Sequence, residues 1–113
     1  MSGEITWVEL PAADTAKARA FYNGLFGWNT SEYGEDYHVV DNGLVGAIAA
    51  RDESFTRPRV YLATDDIDAS VKRLHELGGI SGEVQDIPGV GRIAHCTDDQ
   101  GTPFSLHEPA PQG

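Results

Sequence analysis

The chain repeats one pattern of residues at a separation of fifty-two positions, and this repeat constrains its fold more than any other feature. The matching residues are two leucines, an aspartate and a glycine in each half: Leu10, Asp14, Leu25 and Gly27, then Leu62, Asp66, Leu77 and Gly79. Each half runs from a short apolar strand, through an acidic helix start, into an amphipathic helix that ends at glycine. Two copies of such a unit usually pack as a pseudo-symmetric pair. The repeat therefore predicts a ligand-binding cleft between two similar halves.

In the first half, local residue chemistry predicts one strand, one helix and three extended segments. Residues Ile5–Leu10 alternate as a half-buried strand does. Asp14 is predicted to cap the helix at its N-terminus, and Gly27 is predicted to end it in a left-handed conformation. The extended segments that follow are Trp28–Glu32, Tyr37–Asp41 and Leu44–Ala50. Asn42 and Gly43 form the dipeptide typical of a two-residue hairpin turn between the last two.

The second half repeats this order of elements. Arg59–Ala63 is predicted as a strand, Asp65 or Asp66 as the helix cap, and Gly78–Gly79 as the helix end. The remaining extended segments are Glu83–Ile87, Arg92–Cys96 and Pro103–His107. Each half is therefore a β-α-β-β-β module, about residues 4–50 and 58–109, within one domain over residues 1–113. The predicted fold class is α+β, with a cup-shaped mixed sheet and the helices on its outside.

Charge and composition exclude several classes of partner. Eighteen acidic against eight basic side chains give a formal charge of −10, which opposes binding to nucleic acid or to an anionic membrane. No apolar run approaches the roughly 20 residues that span a bilayer, so a cytoplasmic location is predicted. The single cysteine, Cys96, cannot form an internal disulfide, and its place in a predicted strand indicates a buried, unreactive thiol.

Several segments resemble the vicinal-oxygen-chelate superfamily, which includes glyoxalase I, extradiol dioxygenases and bleomycin-resistance proteins. The stretch Phe21–Trp28, after Asp14, is similar to the end of that family's first helix. The second half carries further similar segments at Asp65–Ala69, Leu77–Gly79, Ile87–Gly89, Asp98–Gly101 and Pro103–Leu106. The resemblance covers Ile5 to Pro109 and implies the two-module cup.

The resemblance also implies where a metal would be held, on the first and last strands of each module. Three of these places carry Trp7, Arg59 and Ser105, and the fourth lies on Leu44–Ala50, which holds only apolar residues and glycine. Indole and guanidinium groups do not bind divalent cations, and one serine hydroxyl is a poor ligand. We therefore predict no metal and no cofactor, although a cryptic site built from Glu9, His107 and another histidine is an alternative.

The residues predicted to line the cup share the inward faces of their strands: Trp7, Glu9, Arg59, Tyr61, Ser105 and His107. Trp7 is either a core residue or a wall on which an aromatic ligand stacks. Arg59 either pairs with Glu9 or binds an anion. Tyr61 is either an ordinary packed residue or a donor of a hydroxyl group to a polar ligand. His107 is a rim histidine or a base, so Glu9 and His107 are the catalytic candidates.

Two histidines and one loop are not assigned to this site. The sequence does not show to which face of the sheet the side chains of His38 and His95 point. The Tyr33–Tyr37 segment is predicted to be a mobile loop at the mouth of the cup.

Three functions remain open. The first is a glyoxalase/bleomycin-resistance-like protein that binds a small aromatic or anionic molecule without a metal, as a homodimer that covers its sheet edges. The second is a lyase, isomerase or dioxygenase that uses displaced metal ligands or the acid–base pair of Glu9 and His107. The third is a regulatory or structural module whose cup is filled by its own side chains.

Overall fold

The computed structural model of the protein describes residues 3–111 and contains two compact units. The N-terminal unit comprises residues 7–59, and the C-terminal unit comprises residues 60–111 together with residues 3–6. The outermost positions of the predicted domain, residues 1–2 and 112–113, lie outside the described residues. The single domain over 1–113 stays a prediction.

The N-terminal unit is built from the first β-α-β-β-β module. Its elements are β1 (Ile5–Ala12), α1 (Thr15–Phe26), β2 (Thr30–Glu32), β3 (Tyr37–Val40) and β4 (Gly46–Ala50). The strands are ordered β2-β3-β4-β1, with β1 parallel to β4 and the other neighbours antiparallel. The first two residues of β1 belong to the C-terminal unit.

The C-terminal unit repeats the module with one strand broken in two. Its elements are β5 (Arg59–Ala63), α2 (Ile67–Glu76), β6 (Ile80–Ser81), β7 (Gln85–Ile87), β8 (Gly91–Thr97) and β9 (Pro103–Pro109). The first residue of β5, Arg59, belongs to the N-terminal unit. The strand order is β5-β9-β8-β6, and β7 also pairs with β8, so β6 and β7 together replace one strand. β5 is parallel to β9, as β1 is to β4. The predicted α+β fold of two β-α-β-β-β modules is confirmed.

Both helices begin at the predicted aspartates. The Asp14 carboxylate accepts a hydrogen bond from the Lys17 backbone N–H at 3.1 Å, and Gly27 ends α1 at a φ of 78°. In the second module the cap is Asp66, which accepts from the Ala69 N–H at 3.1 Å. These caps bind backbone donors that the first helical turn leaves without partners.

A second carboxylate, from the last strand, completes the start of α2. Glu108 on β9 accepts a hydrogen bond from the Ile67 N–H at 2.9 Å. Ile67 is fully buried, so its backbone donor cannot be satisfied by water. The contact ties the first turn of α2 to the end of β9.

The predicted two-residue hairpin at Asn42 and Gly43 is wrong. β3 ends and β4 begins on either side of a loop over residues 41–45. The Asn42 side chain accepts from the Asn29 N–H at 2.8 Å and donates to the Gly27 carbonyl at 3.1 Å. These contacts tie the loop to the end of α1, and this tertiary anchoring replaces the local turn.

Each unit has its own buried residues. In the C-terminal unit, α2 packs on β8 and β9 through the buried residues Ile67, Ala94, Cys96 and Leu106. Burial raises the pKa of the Cys96 thiol, which agrees with the predicted unreactive cysteine. In the N-terminal unit, β3 and β4 supply Val40, Ala47, Ile48 and Ala49. Neither helix of the described chain is long and apolar enough to cross a membrane.

Candidate functional site

A buried carboxylate, that of Glu9, is the centre of a polar cluster in the N-terminal unit. The Tyr37 hydroxyl donates to its Oε2 at 2.5 Å, and Arg59 Nη1 donates to its Oε1 at 3.3 Å. The Trp7 indole N–H donates in turn to the Tyr37 oxygen at 2.8 Å. Indole, phenol, carboxylate and guanidinium thus form one connected chain of hydrogen bonds, called the Glu9 cluster below.

Strand register brings these side chains together. Alternation along β1 places Trp7 and Glu9 on the same face. On the neighbouring β4, Glu9 lies opposite Ala47, and Tyr37 of β3 lies opposite Ala49. Because both β4 residues are alanines, the tyrosine side chain can lie across β4 and reach the carboxylate on β1. Tyr37 was not predicted in the site: the sequence indicated this residue only as the boundary between a mobile loop and the extended segment Tyr37–Asp41.

Arg59 is held from three sides. Besides Glu9, its guanidinium donates to the Ser54 carbonyl at 3.5 Å, and it stacks over the Phe55 ring at 4.4 Å from the centroid. The contact with Phe55 is a cation–π interaction, which suits the flat guanidinium group. The structure therefore contains the ion pair with Glu9 that was one of the two alternatives for this arginine.

A second polar group lies in the C-terminal unit, around Ser105. This residue is 1% exposed, and its hydroxyl is 2.7 Å from His95 Nδ1. The register places Ser105 opposite His95 on one side and opposite Tyr61 on the other. The rings of Tyr61 and His95 meet edge to face at 6.1 Å. The connection between β8 and β9 spans residues 98–102, and counting outward from it pairs His95 with Ser105. The shorter turn that the sequence indicated, Asp98–Gly101, would have paired His95 with Phe104.

His107 uses both of its ring nitrogens in hydrogen bonds within the C-terminal unit. Its Nε2 lies 2.8 Å from the Val90 carbonyl, and its Nδ1 lies 3.0 Å from the Thr6 hydroxyl. A carbonyl oxygen only accepts, so Nε2 carries a proton. In the neutral ring, Nδ1 then accepts from Thr6. The catalytic role predicted for His107 stays a prediction, and this geometry does not favour it.

His38 points away from the Glu9 cluster, because successive side chains on β3 alternate and Tyr37 points toward the cluster. The sequence had not shown this orientation. Its ring is buried, and Nε2 lies 3.0 Å from Asp36 Oδ1. The Thr15 hydroxyl at the start of α1 donates to the same oxygen. These bonds, first from Thr15 and then from His38, lower the pKa of Asp36.

The register also identifies the fourth metal position that the family implies. Glu9 and Tyr61 are fifty-two residues apart, so they occupy matching places in the two modules. Tyr61 on β5 pairs with Ser105 on β9, and Glu9 on β1 pairs with Ala47 on β4, so Ala47 matches Ser105. The four positions are Trp7, Ala47, Arg59 and Ser105. This set offers one hydroxyl and no carboxylate, imidazole or thiolate, so it does not fit a divalent metal. Residues 3–111 contain no group of three or more His, Cys, Asp or Glu side chains that could hold one.

Comparisons with known proteins agree with this fold. Residues 4–41 match the family described as bleomycin resistance protein-like N-terminal. The anthracycline biosynthesis protein DnrV of Streptomyces peucetius is 33% identical over 127 positions, covering 92% of this chain and 46% of that protein. CFP32 of Mycobacterium tuberculosis, whose name includes glyoxylase, is 33% identical over 120 positions, covering 98% and 46%. The chain thus spans about half the length of these relatives.

One solved structure extends the comparison over both modules. Methylmalonyl-CoA epimerase from Mycobacterium tuberculosis superposes with a TM-score of 0.66 at 21% identity. The match covers 96% of this chain and 89% of the epimerase. At this identity the likeness concerns the fold alone.

Proposed function

The chain belongs to the vicinal-oxygen-chelate superfamily, and from this premise we propose that it binds a small aromatic or anionic molecule without using a metal. In this proposal, the ligand stacks on Trp7 and takes hydrogen bonds from the guanidinium donors of Arg59 that Glu9 does not use. Tyr61, Ser105 and His107 stay predicted ligand contacts of the C-terminal unit.

The Glu9 cluster is the observation that carries this proposal. A buried ion pair adds little net stability, because the cost of removing two charges from water offsets their attraction. The cluster nevertheless includes Trp7 and Arg59, two of the places where the family holds a metal. Polar groups held rigidly at such places are typical of a binding site. The name of DnrV supports an aromatic ligand, because anthracyclines are polycyclic aromatic compounds.

Binding is favoured over catalysis by the way the two acid–base candidates are used. Both carboxylate oxygens of Glu9 already accept a hydrogen bond, and both ring nitrogens of His107 are occupied. A general base needs an open position beside the proton that it removes. A lyase, isomerase or dioxygenase remains the alternative function, and turnover of a bound ligand would establish it.

Isothermal titration calorimetry tests the site directly, because it needs no tryptophan as a reporter. A panel of aromatic carboxylates and their neutral methyl esters is titrated against the wild type and each variant. Acids are expected to bind more tightly than their esters. Trp7→Phe and Arg59→Gln are each expected to weaken binding by about 1–3 kcal/mol, which is roughly 5- to 150-fold. The matched controls, Trp28→Phe and the exposed Arg51→Gln, are expected to leave the affinity unchanged.

Two outcomes would contradict the proposal. Equal affinity for acids and esters, unaffected by Arg59→Gln, would remove the arginine from the site. Near one equivalent of zinc, iron, nickel or manganese per purified chain, by elemental analysis, would show that a metal is held by other ligands. A cytoplasmic homodimer is part of the same proposal, and sedimentation over a range of concentrations measures the association.

A further inference from the structure

An open groove in the C-terminal unit lies apart from all the residues discussed as a ligand site. It has a volume of about 460 Å³ and runs between the C-terminal half of α2 and the β8–β9 turn. Its lining combines apolar side chains with a polar rim: Leu74, Leu77, Phe104 and Leu106, with Ser70, Arg73, Gly79, Asp98 and Asp99. Leu77 is 60% exposed, so part of the apolar lining of the groove is open to solvent.

The repeat shows what fills the matching place in the other module. Subtracting fifty-two from Leu74 gives Tyr22. In the N-terminal unit, Trp28 covers Tyr22, with the two rings stacked at 5.1 Å. The residue matching Trp28 is Ile80, which points outward and is exposed. One module therefore fills this place with its own aromatic ring, and the other leaves it open.

The same chain carries exposed aromatic side chains on α1. Phe21 is 62% exposed, and Leu25, one helical turn later, is also exposed. Residues four apart lie on one face of a helix, so Lys17, Phe21 and Leu25 form a single stripe, called the α1 stripe below. Solvent-exposed apolar stripes of this kind mark interaction surfaces.

The charges of the two surfaces are complementary. Helix α1 contains two basic residues and no acidic one, in a chain of net charge −10. At the groove, Asp98 and Asp99 are exposed at the rim, and Arg73 is paired with Glu76 at 3.4 Å. The rim therefore carries a net negative charge that suits Lys17.

We propose that the groove binds the α1 stripe of a second copy of this chain. Phe21 and Leu25 enter the apolar part of the groove, at the place that the Trp28 ring fills in the N-terminal module. Lys17 forms ion pairs with Asp98 and Asp99. In a two-fold dimer the contact would form twice, with the stripe of each copy in the groove of the other. It goes beyond the proposed homodimer by naming both surfaces, and it uses no residue of the Glu9 cluster.

Complementation between two variants tests this pairing. Phe21→Asp damages only the stripe, and Leu77→Asp damages only the groove. Both sites are exposed, so the variants are expected to fold. Each alone should raise the self-association constant Kd by about 30-fold or more in sedimentation. A 1:1 mixture should associate again, because the intact stripe of one variant meets the intact groove of the other. The matched control Val45→Asp, at a residue 66% exposed, should associate as the wild type does.

Several results would overturn the proposal. They are a monomeric wild type at the highest soluble concentration, Leu77→Asp without effect, or a mixture no better than either variant. If Leu77→Asp has no effect, or if the mixture associates no better than either variant, the α1 helices of the two copies contact each other instead. Charge reversal provides a second check, since Lys17→Glu should weaken association and adding Asp99→Lys in the same chain should restore it. Ligand affinity at the Glu9 cluster, measured in the same variants, keeps this test separate from the proposed function.

Discussion

Removing Arg59 should destabilise the chain more than removing Glu9, because the charge left behind is more deeply buried. The Glu9 side chain is 8% exposed and the Arg59 side chain 22%. Arg59→Met leaves a buried carboxylate that keeps the Tyr37 hydroxyl but loses its guanidinium partner, at a cost of about 3 kcal/mol. In Glu9→Leu the guanidinium keeps Phe55 and reaches water, so the cost is about 1.5 kcal/mol.

The double variant separates the pair from its two members. With neither charge buried, Glu9→Leu/Arg59→Met should unfold within about 1 kcal/mol of the wild type. Urea unfolding at neutral pH measures all four proteins, and Arg59→Met should also melt about 12 °C lower. A double variant that loses the sum of the two single losses, about 4.5 kcal/mol, would show that the residues do not interact. A larger loss in Glu9→Leu than in Arg59→Met would refute the argument from burial.

Three further outcomes follow from the structure. The pKa of Asp36 is lowered from 3.8 by the Thr15 hydroxyl and by His38, so its stabilising contribution is present above 3.8 and is lost as the pH falls through its lower folded pKa. Acid unfolding of Asp36→Asn should lack this component. The buried thiol of Cys96 should react with a thiol reagent only as fast as the chain opens, and a faster reaction in native buffer would contradict this. Gly46→Ala should cost about 3 kcal/mol in urea unfolding, because a Cβ there overlaps the backbone of β1.

Helix ends were predictable from sequence because their chemistry is local. Asp14 and Asp66 cap donors only three residues ahead, and Gly27 adopts a conformation that disfavours other residues. The fifty-two-residue repeat then extended one module to the other. A structural feature that depends only on residues near in sequence can therefore be predicted from a single sequence.

The residues that were missed depend on partners far along the chain. Tyr37 reaches Glu9 only because β3 and β1 flank β4, whose Ala47 leaves space between them. Alternation alone indicates a face and does not show which side chain crosses a strand. The turn at Asn42 failed for the same reason, since its side chain is used by the end of α1.

The hydrogen bond from Ile67 to Glu108 has a consequence for synthesis of the chain. Its two members are 41 residues apart, so helix α2 emerges well before the carboxylate that satisfies its first turn. Until β9 is in place, a backbone donor that is buried in the finished protein must be hydrated. A chain ending before Glu108 would bury it without a partner, at about 1–3 kcal/mol. Completion of the C-terminal unit therefore waits for its last strand.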